Sequence, residues 1–112
     1  RNNRYRRQAL RELNQLLTDY SRERCTSHYI SRLQNLLKRI ALTRYQRSDV
    51  ANLTGEAWVA FLDQTSRSHD FVMGEGQVLI DGQYIKDPKF DVNELHKCSM
   101  KWIKRHRKEL YK

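Results

Sequence analysis

Apolar residues in the first half of the chain recur at helical rather than alternating spacing. Leu10, Leu13, Leu17 and Tyr20 fall at i, i+3, i+7 and i+10, with Ala9 and Leu16 widening the stripe. This predicts an amphipathic helix from about Arg4 to Ser21. A second stripe, Ile30, Leu33, Leu37 and Ile40, is supported by Leu36 and Ala41 and predicts a helix running to about Tyr45. Thr26 and Ser27 are its N-cap candidates. The polar link from Arg22 to Cys25 makes the pair an αα-hairpin.

Ser48 precedes a brief helical turn over Asp49 to Leu53, and Thr54 caps a further helix with Ala57, Trp58, Phe61 and Leu62 inward. Asp49 and Glu56 lie in first turns, where carboxylates favour the positive end of the helix dipole. Ser66 to Gln77 breaks the pattern. With Gly74, Gly76, Ser66, Ser68 and Asp70, it reads as a mobile surface loop. Val78 to Ile85 places Asp81-Gly82 between two short apolar runs, the signal of a tight turn or very short hairpin. After Pro88, Asp91-Val92-Asn93-Glu94 resembles a capping box. The last helix then continues through Leu95, Cys98, Trp102, Ile103, His106 and Leu110. The prediction is one all-α domain, residues 1–112, of about five helices, with a flexible loop over 66–77. No repeat of solenoid length is visible.

Composition fits small helices with one buried stripe and a wide wet face: 38% of residues are hydrophobic and 31% charged. Charge placement is more informative than the net +9. Arg1, Arg4, Arg6, Arg7 and Arg11 give the first eleven residues +5. The last sixteen carry seven Lys or Arg against Glu109, giving +6, while residues 12 to 96 sum to −2. A near-neutral domain is bracketed by two basic ends. Such ends suit nucleic acid or anionic headgroups, which attract about 1 kcal/mol per nearby cation. A solubilising surface is the plain alternative. Nothing within these residues has the length and apolarity of a membrane span or signal peptide. Five Arg at the start are nonetheless what the cytoplasmic flank of a span carries, so a span upstream of Arg1 is the expectation.

The chemical inventory is thin. Cys25 and Cys98 are too few for a disulfide framework and read as reduced thiols. Zinc would need Cys25 and His28 to meet His96 and Cys98; the latter two are two residues apart and point about 200° apart on a helix. His28, His69, His96 and His106 are scattered, with no nucleophile set beside a base. Neither a cofactor nor a metal is predicted, and no catalytic residue is assigned. A site assembled around His28, His69 or Cys25 is the residual enzymatic reading. Asp49 to Thr65 has the outline of a helix-turn-helix, with Ala51 and Gly55 as its small residues. A reading face of Glu56, Val59, Ala60 and Asp63 would set carboxylates against phosphates. Trp102, with Lys101, Arg105 and Arg107 about it, reads either as core beneath snorkelling cations or as an anchor on a partner surface.

Tyr5-Arg6-Arg7-Gln8-Ala9-Leu10, Leu37 to Tyr45, Leu53-Thr54-Gly55-Glu56-Ala57-Trp58-Val59-Ala60-Phe61-Leu62-Asp63 and the closing Trp102 to Arg107 together resemble the bacterial domain-of-unknown-function family 4381. The likeness covers nearly the whole chain. Tyr45, Leu53, Gly55, Trp58, Phe61 and Leu62 carry its most specific part, and Gln46 stands where Pro is common. The resemblance implies a small inner-membrane protein with one N-terminal span, a basic flank and a cytoplasmic helical domain. It further implies gene neighbours encoding a MoxR-type AAA+ ATPase and von Willebrand factor A proteins. It brings no catalytic residues. The functional expectation is a non-enzymatic, membrane-tethered adaptor for those partners; the alternative is a nucleic-acid-binding domain using its basic ends.

Overall fold

The leucine stripes set the first two elements. In the computed structural model, which describes residues 2–111, α1 spans Asn2–Glu23 and α2 spans Thr26–Arg44. Arg24 closes α1 in the left-handed conformation (φ 58°), its N–H returning to the Tyr20 carbonyl at 2.8 Å. Every residue expected on the inner face of α2 is buried, with Tyr29 added. Its N-cap position is Cys25 rather than Thr26 or Ser27, and no side chain caps it. In α1 the fully buried positions are Ala9, Leu13 and Leu16, while Leu10, Leu17 and Tyr20 are half-buried. The stripe is turned by about one residue because α1 packs against both α2 and the final helix. Each buried leucine contributes about 1.5–3 kcal/mol. The exposed Arg39–Glu12 ion pair (2.8 Å) that also joins these helices is worth about 0–1 kcal/mol. Apolar packing, not the surface pair, holds the hairpin.

A single turn, α3 (Arg47–Val50), leads to α4 (Gly55–Ser66). Gly55 enters α4 with φ 56°, a left-handed conformation that glycine adopts without a Cβ penalty. Thr54 occupies the N-cap position, though its side chain makes no capping bond. The turn is held from α2 instead: Lys38 Nζ donates to the Leu53 carbonyl (2.8 Å) and lies 4.8 Å from the Trp58 ring centroid. Trp58 Nε1 donates to Gln34 (2.7 Å), and the Trp58 and Phe61 rings stack at 5.6 Å.

α4 departs from its expected burial. Val59 and Asp63, assigned to solvent, are buried, and Ala57, assigned inward, is exposed. The helix is enclosed by later elements rather than lying on one neighbour, so the two-sided pattern of a surface helix does not apply. The face proposed for reading DNA is therefore partly core.

The segment expected as a mobile loop is folded. α5 (Asp70–Met73) and a 3₁₀ turn (Glu75–Gln77) follow α4 directly. The buried Asp63 carboxylate accepts the N–H groups of Phe71 (3.0 Å) and Val72 (2.8 Å), giving the start of α5 the partners it needs. Val78 to Ile85 is not a hairpin but two successive turns, the one-turn helix α6 (Val78–Asp81) and a second 3₁₀ turn (Gly82–Tyr84). Gly82 has ordinary helical φ (−57°). A Cβ there would meet Val78 Cγ2 at 2.5 Å and Ile30 Cδ1 at 3.2 Å, so this glycine serves close approach to α2.

α7 (Val92–Arg105) begins as its sequence predicts, with Asp91 Oδ1 accepting from Asn93 (3.0 Å) and Glu94 (3.2 Å). It does not reach Leu110. His106 turns extended, the Arg107 N–H goes to the Thr65 carbonyl (2.9 Å), and only a 3₁₀ turn (Lys108–Leu110) follows. The result is an all-α domain of four substantial elements linked by single turns, with no strand among the described residues. The start of α1 and the ends of α2 and α7 share one pole. Tyr20, Tyr29 and Phe90, with ring centroids 5.5 and 6.2 Å apart, mark the other.

Asp63→Ala leaves one buried and one part-buried N–H group without acceptors and should cost about 2–4 kcal/mol in urea unfolding. Faster amide exchange at Phe71 and Val72 should accompany that loss; unchanged exchange there contradicts the assignment. Gln46 has φ −59°, follows an extended Tyr45 and gives its N–H to no backbone partner among the described residues. Gln46→Pro should therefore stabilise the protein by about 0.4–1 kcal/mol, read as a raised Tm.

Candidate functional site

The two basic ends of the sequence meet at the pole where α1 begins. Arg6 is on the inner side of α1 and reaches the C-terminus of α7. Its Nη1 donates to the Ile103 carbonyl and its Nη2 to the His106 carbonyl (2.9 Å). Those carbonyls belong to the last turn of α7, which has no intrahelical donors left, and a cation there also matches the negative end of the helix dipole. Arg4, Arg7 and Arg11 sit at i, i+3 and i+7 on the outer side and are exposed. Arg1 lies outside the described residues.

His106 organises the interior of this pole. Its ring stacks on Trp102 one turn earlier, with centroids 4.2 Å apart and planes 13° from parallel. Tyr5 Oη lies 2.8 Å from Nε2 and Tyr45 Oη 2.8 Å from Nδ1. Burial, then the nearby Arg6 and Arg44 charges, push the imidazole down to about 3. It is neutral at physiological pH, so one ring nitrogen donates to one phenol while the other accepts from the second. Burial pushes Tyr45 up to about 12 and raises Tyr5 despite the same two arginines. The triad is protonated on both phenols and uncharged on the ring. With both nitrogens engaged, it is a hydrogen-bonding node rather than a proton-transfer device.

Around this node lies a cleft of about 440 Å³, lined by Tyr5, Arg6, Thr43, Arg44, Tyr45, His106, Arg107, Lys108 and Glu109. Arg6 and Arg44 flank the Tyr5 ring at 5.1 and 4.2 Å. A larger cleft of about 540 Å³ between α5 and α7 is lined by His69, Asp70, Glu75, Glu94, Lys97, Cys98 and Lys101. Opposite charges pair off there, Lys101 with Asp70 at 2.8 Å and Lys97 with Glu94 at 3.7 Å. Size favours this second cleft; the excess of cations over carboxylates among the described lining residues favours the first, and charge is the better indicator of a ligand's chemistry.

Trp102, a candidate partner anchor, is wholly buried (0% exposed), with its Nε1 donating to Thr65 Oγ1 (2.9 Å). It is core and presents no surface to a partner. Lys101 is held by Asp70, whereas Arg105 and Arg107 are exposed. Tyr45, Trp58, Phe61 and Leu62 are core, Leu53 is half-buried, and Gly55 is the left-handed entry to α4. Cys25 is exposed at the start of α2, next to His28, which contacts Glu23 (3.1 Å). His69 precedes α5 on another element. Cys98 is buried, with its thiol pushed up to about 12 by that burial. Among the described residues no group of three or more His, Cys, Asp or Glu could hold a metal ion. Sequence reasoning placed His106 on the stripe of the last helix with Trp102 but missed its role as a node, because its partners Tyr5 and Tyr45 are remote in sequence.

Fold and pole define a small helical domain that concentrates cations where its ends meet. A family model described as a domain of unknown function (DUF4381) matches residues 1–105, and the chain belongs to that family. No curated protein and no solved structure matches it.

The folded protein keeps His106 neutral well below the ordinary value of 6.5, so the unfolded chain takes up the proton first. Stability is full above about pH 6.5 and should fall by about 1.4 kcal/mol per pH unit below it. His96, also depressed by burial, adds in the same direction. Urea unfolding between pH 7.5 and 5 should show this slope, and His106→Gln should flatten it while lowering stability at pH 7.5.

Proposed function

We propose that this chain is the non-enzymatic, cytoplasmic-facing domain of a membrane-tethered accessory protein that acts as an adaptor for a MoxR-type AAA+ ATPase and von Willebrand factor A proteins. The observation that carries the tethered orientation is the gathering of both basic ends at the pole where α1 begins. Arg4, Arg7 and Arg11 on α1, Arg105 at the end of α7, and Arg107 and Lys108 just after it are exposed. A domain hung from a span ahead of α1 meets anionic headgroups with this pole first, and each nearby cation adds about 1 kcal/mol. Among the described residues no helix is long and apolar enough to cross a membrane, so the reading requires the span to lie upstream. The partners come from the family resemblance alone. The absence of a reactive group from the Tyr5–His106–Tyr45 node favours a binding role.

The test is fractionation of the full-length native protein with an alkaline membrane wash, followed by capture of the ATPase and von Willebrand partners from the retained fraction. Retention with capture of either partner is expected. Release by the wash overturns the tether, and retention without either partner overturns the adaptor role. DNA affinity falling with salt at a log–log slope of several units, and lost when Arg4, Arg7 and Arg11 are neutralised, would favour the nucleic-acid alternative instead.

A further inference from the structure

The cleft at the basic pole has the features of an anion site. Among the described residues that line it, Arg6, Arg44, Arg107 and Lys108 are cations and Glu109 is the one carboxylate. Its inner wall adds no opposing charge, because the Tyr5–His106–Tyr45 triad is uncharged at neutral pH. Arg6 uses two N–H groups on the α7 carbonyls, and a guanidinium has five. Arg6 and Arg44 each lie over the Tyr5 ring, at 5.1 and 4.2 Å from its centroid. The cleft's volume of about 440 Å³ falls within the range of small-ligand sites, about 300–1,000 Å³. Several guanidinium groups lining one polar cleft match the oxygens of a phosphate better than a single point charge does.

We propose that this cleft binds the phosphate of an anionic phospholipid headgroup. The phosphate chemistry stands on the cleft itself; the lipid as its source rests on the tethered reading above. Exposed Arg4 and Arg7 lie on the first turns of α1, on either side in sequence of Tyr5 and Arg6, which line the cleft. An anionic surface that meets them brings headgroups to the cleft mouth.

Two measurements on the 112-residue chain test this. In the first, inorganic phosphate is titrated in while backbone amide shifts are followed by NMR. Saturating shifts are expected at Tyr5, Arg44, His106 and Lys108, with Lys86 and Lys89 unmoved. No shift, or equal shifts at all of these, overturns the cleft. In the second, flotation compares phosphatidylcholine vesicles with and without phosphatidylglycerol. Arg107→Gln with Lys108→Gln should weaken binding to the anionic vesicles by about twenty-five-fold, roughly five-fold per cation. The charge-matched pair Lys86→Gln and Lys89→Gln should leave it unchanged, and circular dichroism checks the fold of both. Equal losses in the two pairs overturn the localised site. Phosphate binding without vesicle binding assigns a soluble phosphate and overturns the lipid source, as does binding of duplex DNA through the same residues when vesicles are ignored. Release of the full-length protein by alkaline wash would remove the tether yet leave the phosphate titration standing. A flat titration would remove the cleft and leave membrane retention and partner capture untouched.

Discussion

The fold depends on a closure between residues about a hundred positions apart. Arg6 and Tyr5, in the opening turns of α1, secure the end of α7 through the Ile103 and His106 carbonyls and the His106 ring. Bringing such distant segments together costs loop entropy, and the cost grows only slowly with length. What must be overcome is the burial of a helix C-terminus and an imidazole. Arg6 supplies donors and positive charge to the carbonyls, and two phenols supply both partners of the ring. Each group would be unfavourable in the interior alone; together they leave the node neutral and satisfied. The stop of α7 at Arg105 goes with a further contact, to α4, because a continued helix could not send the Arg107 N–H to Thr65.

This closure also governs the distribution of charge. The sequence holds two cationic stretches separated by a slightly acidic centre, and distance along the chain suggests two independent basic tails. Packing α1 antiparallel to α7 merges them. Repulsion between the merged charges is reduced by exposure to solvent, by the helix dipole at the end of α7 and by the contact of Arg6 and Arg44 with the Tyr5 ring. What remains is a concentrated positive field at one pole, separated from the cleft between α5 and α7 where lysines and carboxylates pair.

Much of the fold was legible in the residues. The stripes of α1 and α2, the Asp91 cap and the aromatic packing of Leu53 to Asp63 follow from helical period and cap chemistry, which are local. The errors share a different origin. Gly76 and Gly82 look like loop residues, yet both permit close packing: a Cβ on Gly76 would lie 2.3 Å from Phe71 Cα. Asp63 looks like a solvated carboxylate, but it accepts two N–H groups that lie eight and nine residues later. His106 falls on the stripe of the last helix, but its hydrogen-bond partners, Tyr5 and Tyr45, are remote in sequence, so its role as their node is hidden. In each case the deciding neighbour comes from another element, beyond the reach of periodicity. The cleft at the pole inherits that property: its cations were recognised one by one, and their convergence was not.

Tyr5 at one end of the chain and Tyr111 at the other both pack at the same pole, Tyr111 with its ring 5.0 Å from Phe61. This sets how the domain responds to mechanical load. Force applied between its two ends would peel α1 away from α7 like a zipper, breaking the Arg6 and Tyr5 bonds first and the leucine layers afterwards, one turn at a time. A pull on α1 alone, with the opposite pole held by a bound protein, would instead load the α1–α2 and α1–α7 contacts in parallel shear. The same packing is thus weak to one direction of pull and resistant to the other.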